Sequence, residues 1–297
     1  MTAGEGASDM HVMRLAGNLL GFYDGRGPAT ASAPIDNWVD DGALSLGICS
    51  FAIVDGAEAI VYDTHVSIAH ARRIRETVEQ LGARSIRVVL SHWHLDHIAG
   101  TEAFADCEII ANATTAALLA DHRSAIEAGT HEGPPAISPL ILPTTVFDGG
   151  LRLELPSFEV ELAEFEIHSR DATVMHLPHA GILLAGDTVE DTVTYVSEPD
   201  RLEAHIGELE RMRGLGAGTI LPNHGSREII QGGGYAPTLI DATQQYVRNL
   251  LGTASDPSEL HLDLRAFVGE ELGAGWISWF EPYERVHQSN LAAVRTA

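Results

Sequence analysis

The segment SHWHLDHIAG, Ser91 to Gly100, sets three histidines and one aspartate within six positions. Imidazole nitrogens and carboxylate oxygens are good ligands for a borderline divalent cation. His92, His94, Asp96 and His97 therefore read either as part of a metal cradle or as a chance cluster in a chain with 15 histidines. Two four-coordinate ions that share a ligand and a water need about six or seven protein donors, and the cluster offers four of them. Three later residues are candidates for the rest: His168 in EIHSRDATV, Asp187 in GILLAGDTV and His224 in TILPNHGS. Each has a plainer reading when taken alone. A histidine after a strand is commonly a surface or hydrogen-bonded group, and Gly-Asp after a strand is commonly a turn. Taken together, seven donors in this order, each at or after a strand-like run, could converge on one rim of a sheet.

The surrounding elements must hold those residues in place. AIVYDTH reads as a buried strand, and VSIAHARRIRETVEQLG has apolar residues at helical spacing with a glycine stop. SIRVVLSH is the next buried strand and runs straight into the histidine cluster. The cluster thus occupies a loop at the C-terminal end of a strand, where open α/β sheets place their chemistry. Upstream, HVMRLAGNLLGFY and SLGICSFAIVD suggest hairpins, and residues 1 to 10 are expected to fray. CEIIAN is a further strand, TTAALLADHRSAIEAG a helix, and THEGPPAISPLILPTTVFDGG a long Pro- and Gly-rich loop. A second half begins near Leu151 with antiparallel runs, followed by a helix over PDRLEAHIGELERMRGLG and another over APTLIDATQQYVRNLLG. Two further helices are expected between about 257 and 296. Strands first and helices later, twice over, predict two packed sheets with helices outside.

Composition narrows the function classes. The chain carries 42 acidic against 18 basic residues, a formal net charge of −24, and none of its basic residues is lysine. Such a field repels polyanions, so neither nucleic acid nor an acidic membrane surface is an expected partner. The excess charge reads mainly as solvated acidic faces. The two cysteines, Cys49 and Cys107, lack ligand-like spacing and are expected as reduced thiols. The N-terminal MTAGEGASDMHVM has no basic region followed by an apolar run, and no stretch approaches the roughly 20 apolar residues of a membrane span. A cytoplasmic protein is expected.

The motifs as a set resemble the metallo-β-lactamase fold. HWHLDH is similar to its His-x-His-x-Asp-His signature, HSRDATVMHLPHAGILLAGDTV to its third and fourth ligand motifs, and LPNHG to its fifth. AIVYDTH resembles the strand that carries a supporting aspartate beneath the site, here Asp63. The resemblance implies an α/β fold, an αββα four-layer sandwich, over residues 11–230. A helical C-terminal extension over 235–297 would pack on that catalytic domain. It implies two zinc ions per chain, with iron or manganese open. One ion would take His92, His94 and His168, the other Asp96, His97 and His224, with Asp187 bridging. Asp63 would fix the tautomer of a ligand histidine. A glutamate marks the flavodiiron branch at the position held here by His94, which argues against oxygen reduction.

The expected reaction is attack of a metal-bridging hydroxide on a small ester, lactone, thioester or amide-like substrate, with Asp96 orienting the hydroxide and shuttling a proton. Some zinc β-lactamases carry Cys where this chain has Asp187 and, three residues later, a Lys that grips the substrate carboxylate. Here that place holds Glu190, so β-lactam cleavage is expected to be weak. The interval from His168 to Asp187 is nevertheless closer to that subclass than to glyoxalase II. Arg170, Asp171 and Arg227 follow ligands and are candidates for substrate contact, as are Tyr195 and the loop from about 130 to 145. His65, His122, His131, His176 and His179 are read as bystanders, QGGGY as a turn, and Trp276, Trp279, Phe280 and Tyr283 as core or a subunit contact. A homodimer remains open. The alternatives are a mononuclear iron enzyme resembling persulfide dioxygenases, which would leave Asp96, His97 and His224 without metal, and a non-catalytic metal-binding scaffold.

Overall fold

Alternation of side chains along the strands splits the interior into two cores. The computed structural model describes residues 9–27, 37–253 and 262–296. Its first half forms β1 (His11–Arg14), β2 (Leu19–Asp24), β3 (Ile48–Asp55), β4 (Glu58–Tyr62), α1 (Ile68–Gln80), β5 (Ser85–Val89), α2 (Leu95–Ile98), β6 (Glu108–Asn112), α3 (Ala113–Ala128) and β7 (Thr145–Phe147). A π-helical turn, Trp38–Leu44, precedes β3. The seven strands pair in chain order, antiparallel from β1 to β4 and parallel from β4 to β7. Ala59 and Val61 of β4, Val88 of β5, and Ile109 and Ala111 of β6 meet Ala71, Ile74 and Val78 of α1 and Leu119 and Ile126 of α3. Their alternates Ile60, Tyr62, Val89 and Ile110 face the other way, into a core shared with the second sheet.

The second half contributes β8 (Gly150–Glu154), β9 (Glu159–Ile167), β10 (Ser169–Leu177), β11 (Ile182–Gly186), α4 (Leu202–Arg213) and β12 (Thr219–Pro222). These five strands run in the order β12-β11-β10-β9-β8, all antiparallel except the parallel pair β11–β12. Leu209 and Met212 of α4 and Tyr246 and Val247 of α6 (Thr238–Thr253) belong to the core that includes this sheet. The result is a four-layer αββα sandwich with α5 (Arg227–Gln231), α6, α7 (Leu264–Phe267), α8 (Gly269–Ala274) and α9 (Tyr283–Val294) at its C-terminal end. Among the described residues no helix is long and apolar enough to cross a membrane.

The expected elements recur with three refinements. The described part of the tail holds three helices rather than two; residues 257–261 lie outside the described residues, as do residues 1–8, expected to fray. Gly275, at φ 71°, ends α8 in the left-handed conformation, which separates it from α9. The loop after α3 ends in β7, whose Pro-rich approach masked a three-residue edge strand beside β6. Ser226 accepts from the Ile229 amide and starts α5, a helix too short for periodicity to reveal. Cys49 is buried and Cys107 partly so, and both are free.

Close packing behind the cluster loop is visible at Gly100. A Cβ there would overlap the Thr64 carbonyl oxygen and the Ala71 methyl of α1. We predict that Gly100→Ala destabilises the fold by about 1–3 kcal/mol, as overpacking does. Urea denaturation checks this, and an unchanged midpoint would contradict it.

Candidate metal centre

Nearly every element that ends at one rim of the sandwich delivers a polar side chain there. Asp63 follows β4, His92 follows β5, Asp187 follows β11, and His224 follows β12 by two residues. His168 is the turn between β9 and β10. His94 is the residue before α2, and Asp96 and His97 lie on it.

Six of the seven side chains form two triads, with Asp187 between them. The ligand-type atoms of His92, His94 and His168 lie within 4.8 Å of one another, and so do those of Asp96, His97 and His224. His168 Nε2 and His94 Nδ1 stand 3.0 Å apart. His224 Nε2 is 3.2 Å from Asp96 Oδ2. Asp187 lies between the triads: its Oδ2 is 3.0 Å from His97 Nε2, 3.4 Å from His224 Nε2, 3.6 Å from His92 Nε2 and 3.8 Å from His168 Nε2. Glu190 stands beside it, within reach of His168 and Asp187.

The rear nitrogens of the rings fix their tautomers. His97 Nδ1–H donates to Asp63 Oδ2 at 2.9 Å, His168 Nδ1–H to the Tyr195 carbonyl at 3.0 Å, and His224 Nδ1–H to the Gly47 carbonyl at 2.8 Å. His92 Nδ1 meets Ser91 Oγ at 2.9 Å. In each case Nε2 is left facing the centre, the arrangement that orients ligating imidazoles. Asp63 is itself braced, accepting from the Ser91 amide at 2.7 Å and from Asn223 Nδ2. Asp63 and His168 hold φ of 66° and 67°, a left-handed conformation unfavourable for residues with a Cβ. Such strain persists only where the surroundings impose it.

Two buried atoms at the centre, His92 Nε2 and Asp187 Oδ1, find no hydrogen-bond partner among the described residues. An unmet buried polar atom costs about 1–3 kcal/mol; a divalent cation would satisfy both. The donor set, five imidazoles and two carboxylates, suits such an ion. Electrostatics divide the triads. Burial, with nearby imidazoles, holds His92 well below the ordinary histidine value, His94 at about 4 and His168 at about 3. Burial also opposes charge on His97 and His224, but the Asp187 carboxylate and its acidic neighbours outweigh it and hold both well above the ordinary value. Burial resists ionisation of Asp96, yet His97 and His224 bring it down to about 2, and Asp187 is likewise held well below the usual carboxylate range.

A cleft of about 710 Å³ opens over the centre. Trp93 and Leu95 line it near the cluster, Trp38 and Leu46 from the segment before β3, and Pro282, Arg285, Val286 and Ser289 from α9 and its start. Of the residues singled out by sequence, Glu190 and Tyr195 line the cleft, and so does Glu132 of the loop after α3. Burial first, then Asp187, pushes Glu190 up to about 7; it accepts from the Tyr195 amide and from the Tyr283 hydroxyl. Arg170 is 57% exposed near Glu198 and Arg227 contacts His11 and Glu228; neither lines the cleft. Asp171 is buried behind the cluster loop, accepting from the Trp93 amide and Thr115 Oγ1 at 2.9 Å each. His122 and His131 flank Trp93, His65 stacks on His70, His176 stands 3.6 Å from Glu161, and His179 lies against Phe158; none joins a triad. Sequence reading missed the α9 face and Asn223. The helix of α9 was legible, but its direction across the cleft was not.

A two-sheet sandwich with a rim of converging histidines and aspartates defines the class: an αββα protein built around a candidate metal centre. Residues 46–224, more than half of the chain, match the family model described as the metallo-beta-lactamase superfamily, and the chain belongs to that superfamily. Among solved structures it is similar to a metallo-beta-lactamase from Pontibacter korlensis, at 16% identity and a TM-score of 0.62, covering 81% of this chain and 100% of that one. It is similar also to DIM-1 metallo-beta-lactamase exposed to ceftazidime, at 18% identity and 0.59, covering 82% and 99%. VMB-1 matches at 15% identity and 0.59, covering 83% and 100%. Comparison with curated proteins finds no match.

The divided electrostatics predict how the metal-free protein responds to pH. His92, His94 and His168 have depressed folded values, so below the ordinary value of 6.5 the unfolded chain takes up protons that the folded chain refuses. Stability is therefore lost as pH falls below 6.5. His97 and His224 have raised values; the stability they contribute is complete below 6.5 and is lost as pH climbs through the folded values. After chelation, the urea midpoint should peak near 6.5 and decline on both sides. A midpoint that rises steadily into the alkaline range would contradict the assignment.

Proposed function

We propose that the protein is a dinuclear zinc hydrolase of a small ester, lactone, thioester or amide-like substrate. The observation that carries this reading is Asp187 standing between two complete triads. His92, His94 and His168 would hold one ion, Asp96, His97 and His224 the other, and Asp187 would touch both. Bound zinc would supply a hydroxide near neutral pH and polarise the scissile carbonyl.

The chain's own residues do the rest. Asp96 lines the cleft with a partly exposed carboxylate, so it can orient the attacking oxygen and take up its proton. Asp63 keeps a proton of His97 on Nδ1, so Nε2 is the nitrogen left to ligate once an incoming ion displaces its proton. Trp38, Trp93, Leu46 and Val286 give the cleft apolar walls that exclude water around the reacting bond. Glu190 places an acidic group in the cleft, where a cation would help bind a β-lactam's carboxylate, so other acyl substrates are favoured. Residues 11–230 are read as the catalytic domain and 235–297 as an extension packed on it, in keeping with a family match that ends at 224.

The second triad favours two ions over the single iron of an oxygenase. Elemental analysis of protein purified without added metal should find about two zinc per chain, and that sample should hydrolyse members of an ester, lactone and thioester panel. Chelation and Asp187→Ala should each abolish hydrolysis. One iron per chain, or full zinc with no turnover across the panel, would overturn the reading. Asp63→Ala should weaken metal binding about 10–100-fold, measured against a chromophoric chelator. Unchanged affinity would remove Asp63 from the proposed machinery.

A further inference from the structure

Asn290 lies on α9, in the C-terminal helices beyond the family match, and is fully buried. Its side chain makes three hydrogen bonds. Oδ1 accepts from the Val196 amide at 2.9 Å, and Nδ2 donates to the Thr194 carbonyl at 2.9 Å and to the Tyr246 hydroxyl at 3.0 Å. The first two bonds grip the backbone on either side of Tyr195. The Tyr195 carbonyl accepts from His168 Nδ1–H at 3.0 Å, and its amide donates to Glu190. Residues 193–196 belong to no helix or strand, so no ladder of the fold fixes this backbone. Asn290 supplies one donor and one acceptor in the place of a neighbouring strand.

We propose that Asn290 is a positioning residue for the metal centre: through the Tyr195 carbonyl it sets the ring orientation and tautomer of His168. The inference rests on the reading of His168 as a ligand. His168 sits at φ 67°, a conformation its own backbone does not favour, so its placement depends on contacts from outside. The Tyr195 carbonyl is one such contact, held from the rear by a side chain about 95 residues further along the chain. The extension is thereby part of the site rather than an appendage to it.

The test separates positioning from core packing. Asn290→Ala removes all three bonds. Asn290→Asp keeps the volume and the acceptor for Val196 but faces the Thr194 carbonyl with a second acceptor. Tyr246→Phe disturbs the same buried cluster and leaves residues 194–196 gripped. Stepwise zinc affinities are read by competition with a chromophoric chelator, alongside thermal melting and the visible spectrum of the cobalt-loaded protein. Both Asn290 variants should weaken one of the two ions about 10–100-fold, leave the other within about twofold, and alter the cobalt spectrum. Tyr246→Phe should lower the melting temperature and move neither affinity. If Asn290→Ala does not fold, Asn290→Asp is read by the same criteria. Wild-type affinities in folded Asn290 variants would overturn the proposal, and so would equal weakening in Tyr246→Phe. A wild-type protein that binds no zinc would instead overturn the hydrolase reading beneath it.

Discussion

The Asp187 carboxylate is the constraint around which the rim is built. It is a buried anion with four imidazole nitrogens within 3.8 Å. An unpaired charge in a protein interior is strongly disfavoured, so such a group persists only if its surroundings compensate it. In the metal-free chain His97 and His224 do so by holding their protons. The other triad cannot, because burial keeps His92, His94 and His168 neutral. The centre is thus an anion flanked by protonated rings on one side and by open lone pairs on the other. Cations placed in both triads would resolve that asymmetry.

Holding this arrangement takes a rigid scaffold, and the two sheets provide it. The Tyr62 hydroxyl reaches from β4 to the Thr173 carbonyl on β10, and Asn112, which caps α3, donates to the Asp171 carbonyl and Thr173 Oγ1. These bonds cross between the sheets close to the rim. They lock the register of the β5 loop, which bears the histidine cluster, against the β9–β10 turn, which bears His168. Asp171 completes the link by accepting from the Trp93 amide inside the cluster itself. Left-handed backbone at Asp63 and His168 is sustained by this bracing, in the manner of functional sites that store local strain.

Much of this was legible in the sequence because donor chemistry and strand ends coincide. SIRVVLSH and GILLAGD are apolar runs that stop at a polar residue, and that pattern alone places His92 and Asp187 at a rim. Parallel pairing of β4 with β5 and of β11 with β12 then brings the C-terminal ends of all four strands to one side, something periodicity cannot announce. The arginines show the opposite case. Arg170 and Arg227 are close in sequence to the donors, but side chains alternate along a strand and a helix turns its residues outward, so neighbours in sequence point away. The residues that line the cleft from afar, Arg285, Val286 and Ser289, and Asn290 behind Tyr195, lie on a helix whose amphipathic pattern predicts burial without saying against what.

That distance between sequence and cleft bears on what family membership can say. The match ends at His224, at the last of the seven donors, so the shared segment contains the whole candidate centre. One wall of the cleft comes from α9, and another from Trp38 and Leu46, of which only Leu46 falls inside the match. Arg26, which stacks on Phe280 and donates to the Asp191 carbonyl, and Asp191, which accepts from Ser278, tie the start of the chain and its end to the loop after β11. A change of helix position at the C-terminus would therefore reshape the cleft wall and shift the loop that supports His168 together. On the proposed reading, any bond-breaking capacity would reside in the rim that the family match covers and selectivity in segments outside it, so the likeness to β-lactamase structures carries the fold without carrying a substrate.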